Sequence, residues 1–553
     1  MIGVIADRAD EDVVREFFEL FKTPWEFFNE GRRYNVLLCA GDPPPDVSAR
    51  VVVLYAGRTT GWDSARRIGA GRTLSHSVDL VHGGERIPIY GKVLTFARGE
   101  SSLLTVVGSG ECAAFSELTA NGWVVRLGYD LFAEVRFLLT EGQPSANAQC
   151  PTLDLHIAFL RDLIIRCGVA LTEIPPVPEG YNFIVCLTHD VDHPSIRMHR
   201  WDHTMFGFLY RAAFDSVRNL LRGRSSFRSF AANWAAVVKL PFVHMGWARD
   251  FWRDFDLQYL ELERELPSSY FIIPFPNRPG KIAQGTAPAI RASGYGVRDI
   301  EDVILRLMAT GREVGLHGID AWIDSRDGRE EFAELRHLTG AEKIGVRMHW
   351  LYFSPDSPRL LEQAGASYDS TVGYNGAVGY RAGTTQPYKP LDCNQLLELP
   401  LHVMDTALFY PTRMSLSNQQ AWPILERMIE NSSRFGGCLT INWHDRSLAP
   451  ERQWGAVYCD LIRELRAQGA WFATLGQAAS WCDRRRSALF VRDSEESSTV
   501  RAWPPADGRE NLPSLQLRKY RALESVPLGA PGSIDFTDQP LGENASVPCI
   551  PAS

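Results

Sequence analysis

The stretch LTHDVDH, Leu187 to His193, decides how the rest of the chain is read. It directly follows YNFIVC, Tyr181 to Cys186, a run with the composition of a buried central strand. Two carboxylates one residue apart at the end of such a strand need a reason. A buried carboxylate is costly unless it is paired, hydrogen-bonded or bound to a metal. In extended backbone Asp190 and Asp192 project from one face. A parallel strand that delivers polar residues at its carboxyl end is how α/β sheets build active sites. The plain alternative is a strand end whose aspartates cap a turn.

Outward from this stretch, apolar runs alternate with helical segments for about 300 residues, the signature of a parallel sheet or a (β/α) barrel. The runs are FIVCL, SSYFIIP, REVGLH, IGVRMH, LLELPLHV, CLTINWHD and AWFATL; the intervening helices include 250–266 and 456–468. Several runs end in polar residues: His317, Arg347 with His349, Asp405, and His444 with Asp445. One such end is uninformative, because a lone His is more often structural; four in one alternating domain form a constellation.

The chain has 553 residues, too many for one ordinary core, and a net charge of −8 that gives no indication of a nucleic-acid partner. Its 45% hydrophobic and 22% charged residues are those of a globular protein. Ten Cys without a CxxC pair fit reduced thiols, and the acidic start MIGVIADRADEDVV lacks the basic and apolar parts of a signal peptide. The expected location is the cytoplasm. Residues 1–150 read as a smaller α/β domain, with a strand at 2–6, a helix at 10–21 and strands NVLLCAG and VVVLYAG. GAGR and VHGGERIPIYGK read as turns, and neither is a phosphate loop. A helix over 153–167, capped by Thr152 and stopped by Gly168, and the Pro-rich EIPPVPEG form a link over 151–177. The barrel is expected over 178–485, and the polar, Pro-rich 486–553 reads as a disordered tail.

In order along 181–485, these motifs resemble those of the polysaccharide deacetylases, carbohydrate esterase family 4. The chain looks like a divergent bacterial subgroup with an extra N-terminal domain. LTHDVD resembles the first motif, EVGLHGIDA the second, GVRMHW the third, LELPLHVMD the fourth and LTINWHD the last. The resemblance implies a distorted (β/α) barrel, a divalent metal and hydrolysis of acetyl groups on sugars. It implies Asp190 as general base, Asp192 and His317 as metal ligands, Arg347 as the group orienting the base, and His444 as general acid paired with Asp405. One position departs: four residues after His317, where the family repeats its His, stands Ala321. His349 and Asp320 are the available substitutes, and His349 is the preferred third ligand because it restores two imidazoles and one carboxylate with open positions for water.

The residue chemistry agrees. Amide hydrolysis needs an activated water, and bound Zn²⁺ lowers the pKa of water to about 7. A carboxylate beside Arg stays ionised and can take a proton, and His can protonate a departing amine. The expectation is a Zn²⁺-dependent deacetylase of a carbohydrate, with oligomeric state left open. Trp350, Tyr352, Trp443 and Tyr380 are candidate walls for a sugar. The alternatives are an amidase or deformylase acting on another C–N bond, or a non-catalytic carbohydrate-binding or scaffold protein whose site is degraded at Ala321.

Between the first two strands lies an insertion, 196–249. Its segment MFGFLYRAAFDSVRNLLRGR, 205–224, places apolar residues at helical spacing with Arg211, Arg218, Arg222 and Arg224 beside them. The preferred reading is a helix packed on the protein; the other is peripheral membrane contact.

Overall fold

The computed structural model describes residues 1–43, 49–75, 77–97, 102–221, 226–492, 498–501, 512–523, 534–541 and 546–548. The chain divides into two compact units, one of Met1–Gly180, Arg381–Leu391 and Ser480–Ser553, the other of Tyr181–Tyr380 and Asp392–Ala479.

The second unit is built on a nine-stranded sheet: β1 Phe183–Val191, β2 Ser268–Ile272, β3 Glu313–Gly318, β4 Val346–Met348, β5 Tyr368–Asp369, β6 Leu397–Glu398, β7 Leu401–Met404, β8 Cys438–Asn442 and β9 Ala470–Phe472. Every pairing among them is parallel, in the order β6-β5-β4-β3-β2-β1-β8-β7, with β9 beside the start of β1. The two ends of that order, β6 and β7, are separated in the chain by only Leu399 and Pro400. Leu399 N–H donates to Asp369 O and Leu401 N–H to Val372 O, so the sheet curls until its ends meet. This is a distorted (β/α) barrel, accompanied by another α/β region.

Helices between the strands start and stop where their ends are chemically satisfied. Ser325–Thr339 begins at Asp324, whose carboxylate accepts from Arg326 N and Asp327 N, and ends at Gly340 with φ 64°. Asn418–Phe435 begins with a reciprocal cap between Ser417 and Gln420. All nine residues of β1 are buried, which explains its unbroken apolar reading. The core joins β1 to Phe255, Tyr259 and Tyr270 on one side and to Val346, Leu401 and Ile441 on the other.

The insertion is helical over His203–Leu209, Tyr210–Asp215 (a π turn), Ser216–Leu221 and Phe227–His244. The reading of 205–224 as a helix packed on the protein is refined in which face packs: Phe206, Tyr210, Phe214, Val217 and Leu221 are exposed. Met205, Phe208 and Ala212 are buried instead. Arg222 and Arg224 lie outside the described residues.

The first unit carries an eleven-stranded sheet whose strands Trp25–Phe27, Ile2–Ile5, Val36–Ala40, Val51–Tyr55 and Gly122–Leu127 are mutually parallel. Antiparallel hairpins continue it. Gly83 and Gly84, with φ 56° and 87°, form the two-residue turn joining His82 to Glu85, a conformation that glycine adopts without steric penalty. GAGR, expected as a turn, instead enters the strand Ala70–Leu74. Thr152 is the first helical residue rather than the cap; its hydroxyl donates to Gln143. The described parts of 486–553 form five strands where the sequence read as a disordered tail. Leu515–Tyr520 pairs with Leu171–Glu173 and with Phe536–Leu541 in a three-stranded sheet and buries Leu515, Leu517 and Tyr520. Residues 526–532, part of the same expectation, lie outside the described residues.

Candidate metal centre

Alternation along β1 sorts the opening stretch into two kinds of residue. Thr188, Asp190 and Asp192 project from one face; His189 projects from the other. There His189 is fully buried, with Nδ1 against Trp443 O at 2.7 Å and Nε2 against Glu263 at 2.7 Å. Glu263 also accepts from Tyr458 at 2.5 Å and Ser268 at 2.7 Å, so His189 belongs to a satisfied structural network. His193 turns away as well and meets His199 at 3.2 Å.

On the opposite face, Asp192, His317 and His349 present ligand atoms that all lie within 4.8 Å of one another. Asp192 Oδ1 stands 3.4 Å from His317 Nε2 and 3.6 Å from His349 Nε2. Metal–ligand bonds of about 2.0–2.2 Å in tetrahedral array set neighbouring donors about 3.3–3.6 Å apart. The buried Oδ1 of Asp192 has no hydrogen-bond partner, an uncompensated cost that a cation would remove. His317 Nδ1 lies 3.0 Å from Arg347 O, which places the ring proton on Nδ1 and leaves the Nε2 lone pair facing Asp192. Burial pushes His349 down to about 3, so its imidazole stays neutral. Burial alone would raise Asp192; the imidazoles of His317, His349 and His444 outweigh it and hold the carboxyl well below its ordinary range. These donors fit a divalent ion of the zinc class.

His349 reaches the cluster through an unusual turn. Register pairs His317 with Arg347, and His349 follows two residues later on the same face. The chain then reverses through Trp350 and Leu351, both left-handed with φ 63° and 52°, a conformation that costs a non-Gly residue about 1–2 kcal/mol. Buried Arg291 secures the turn, donating to His349 O at 2.9 Å, Ile319 O at 3.0 Å and Pro279 O at 2.7 Å. Asp320, the other substitute, is committed elsewhere: its carboxylate accepts from Lys281 N at 2.6 Å. Ala321 is fully buried in the apolar core.

Two polar pairs flank the cluster. Asp190 accepts from Arg347 Nη1 at 2.9 Å on Oδ1 and from Asn442 Nδ2 at 2.8 Å on Oδ2. Burial would raise its pKa, but the Arg347 guanidinium holds it below the ordinary carboxylate value. Arg347 is locked in turn by Thr188 Oγ1 at 2.7 Å, Ser370 O at 3.0 Å and the Phe271 ring at 4.5 Å. Across the cluster, His444 Nε2 lies 3.9 Å from Asp192 Oδ2 while its Nδ1 is held by Asp405 at 2.6 Å. Asp405 also accepts from His444 N at 2.7 Å and from Ser447 Oγ. Burial opposes protonation of His444, yet the Asp405 carboxylate raises it to about 9.

Contacts thus link all seven site residues named from sequence into one group. Arg291 and Asn442 were missed; Asn442 sits two residues before His444 in LTINWHD, and that spacing was its only signal. Of the four aromatic candidates, Trp443 and Tyr380 are fully buried and cannot stack on a ligand; Trp350 is 38% exposed and Tyr352 half-buried.

No family model and no curated protein matches the chain. Among solved structures it is similar to one described as a polysaccharide deacetylase from Mycobacterium smegmatis, at 18% identity over 56% of this chain and 94% of that one, TM-score 0.36. It is also similar to the Puue allantoinase, at 18% identity over 55% of this chain and 90% of that one, TM-score 0.33. A third is Agd3, a carbohydrate deacetylase, at 8% identity over 94% of this chain and 91% of that one, TM-score 0.34.

Proposed function

We propose that the barrel unit is a metal-dependent hydrolase that removes acetyl or related acyl groups from an amino sugar or a polysaccharide precursor in the cytoplasm. The observation that carries this reading is Asp192 Oδ1, without a hydrogen-bond partner and facing His317 and His349, set between an ionised Asp190 and a protonated His444. A divalent ion, Zn²⁺ by its donor set, would be held by Asp192, His317 and His349 and would supply an acidified water and a polarised carbonyl.

The chain's own residues supply the proton transfers. Asp190 stays ionised beside Arg347, and each of its oxygens keeps a lone pair after the bonds to Arg347 and Asn442. It therefore takes the proton of an attacking water. Arg347 and Asn442 fix the carboxylate plane, so the proton is received without reorganisation. His444 carries its proton on Nε2 while Nδ1 is tied to Asp405, and it delivers that proton to the departing amine nitrogen. Base and acid stand on opposite sides of the cluster, as cleavage of a C–N bond requires.

The test uses the purified full chain loaded with Zn²⁺ and dialysed. One bound ion per chain and acetate release from an N-acetylhexosamine oligomer, abolished by chelation, are expected. Absence of both bound metal and acetate release overturns the reading and leaves the non-catalytic alternative.

A further inference from the structure

Among the described residues, the 196–249 insertion carries an exposed apolar surface. On Phe227–His244 the residues Phe227, Trp234, Val238 and Phe242 recur at helical spacing and are all exposed, and Met245 and Trp247 (76% exposed) extend the row. On the preceding helical run Phe206, Tyr210, Phe214 (71%), Val217 and Leu221 (82%) do the same. The buried sides of both runs are apolar as well, with Met205, Phe208 and Ala212 of one packed together with Ala236, Leu240 and Val243 of the other. The two exposed rows adjoin, because Phe214, Val217 and Leu221 line one cleft with Trp234. An amphipathic helix normally turns its apolar stripe inward. Here each run has one apolar face turned inward and a second, larger one left exposed.

Charge identifies what covers them. Residues 196–249 contain nine Lys and Arg against two Asp, a net of +7 in a chain of net −8. A basic segment rich in Trp, Tyr and Phe on an otherwise acidic protein matches the headgroup region of an anionic bilayer, where aromatic rings sit at the interface and cations meet lipid phosphates. Among the described residues no helix is long and apolar enough to cross a membrane, so the contact is peripheral. We propose that this helical hairpin docks the protein on an anionic membrane surface.

The hairpin is fixed at its base next to the candidate metal centre. It begins four residues after Asp192, and buried Asp250 closes it by accepting from Ser195 Oγ at 2.6 Å, Trp252 N at 2.9 Å, and Ile196 N and Arg197 N at 3.3 Å each. Docking would therefore hold the mouth of the barrel near the lipid surface and select an acylated saccharide attached to a membrane lipid. This consequence, unlike the docking itself, rests on the hydrolase reading.

The experiment is flotation of the full chain with vesicles of phosphatidylcholine alone or mixed equally with phosphatidylglycerol. Binding to the mixed vesicles at least about tenfold above the neutral ones, falling steeply with salt, is expected. The double variant Phe214→Ser, Leu221→Ser and the single variant Trp247→Ser should each weaken binding about tenfold, without changing metal content or hydrolysis of a water-soluble substrate. Equal binding to both vesicle types, or none, overturns the proposal. So does self-association of the chain that the same substitutions abolish in the absence of vesicle binding, which would assign the face to a second copy. Failure of hydrolysis with vesicle binding intact would count against the catalytic reading alone.

Discussion

Replacing Asp405 by Asn tests the acid role of His444 through its pH dependence. Asp405 contacts His444 twice, at Nδ1 and at the backbone N–H, and Asn retains an oxygen for one of these bonds while removing the charge. That charge lifts the imidazole from an ordinary 6.5 to about 9 against the opposing effect of burial. The displacement corresponds to about 3 kcal/mol, little diminished by solvent because the His444 side chain is only 10% exposed. Without the Asp405 carboxylate, burial still opposes the charge and only the more weakly acting Asp192 and Asp190 favour it, so the value falls. A raised imidazole is protonated, and competent as an acid, below its pKa, so activity disappears as pH rises through that value. At pH 7.5 the acid form is almost fully populated in the parent and less so in the variant. Hydrolysis at pH 7.5 should therefore fall, by up to about tenfold, and the alkaline limb of kcat/KM should move to lower pH, by up to about two units. A cation beside Asp192 would lower both values together, which makes the difference between the two proteins the quantity to measure. An alkaline limb that stays in place, or a loss equal at every pH, would refute the assignment of His444 as the acid.

Asp190→Asn should keep fold and metal yet lose about 10²–10⁴-fold in turnover; activity near the parent's would remove Asp190 from the base role. His349→Ala should weaken Zn²⁺ binding at least about tenfold in competition with a chelating dye, and unchanged affinity would show that His349 is not a ligand. Ala321→His in that background should not restore the site: Ala321 is fully buried and packs against Gly328, so an imidazole overfills the core and should lower stability by about 1–3 kcal/mol in denaturant unfolding. Arg291→Met should cost about 1–3 kcal/mol by leaving the carbonyls of Pro279, Ile319 and His349 unpaired, and should weaken metal binding through the loosened His349 turn; a metal affinity equal to the parent's would show that the turn holds without it.

The sequence by itself determined which strands carry chemistry, because that information is local. The buried run Phe183–Val191 and the polar residues ending later runs can each be seen within ten residues, and alternation alone put Asp190 and Asp192 on one side. Non-local pairing was decided by the tertiary structure. The two-residue strand Tyr368–Asp369 has no periodicity of its own and exists only because β4 and β6 flank it. Asp192, His317 and His349 converge because β1, β3 and β4 are arranged around one barrel, and His349 points inward only through the left-handed Trp350 and Leu351, which Arg291 secures from 58 residues away. The apolar spacing of 205–224 announced a helix but not the direction of its stripe, since periodicity records that a face is apolar and only the packing decides whether protein covers it. Likewise the buried Tyr520 pairs with Leu171, more than 340 residues earlier in the chain. Periodicity is a property of neighbours in sequence; convergence is a property of neighbours in space, set by how the strands pair and the barrel closes.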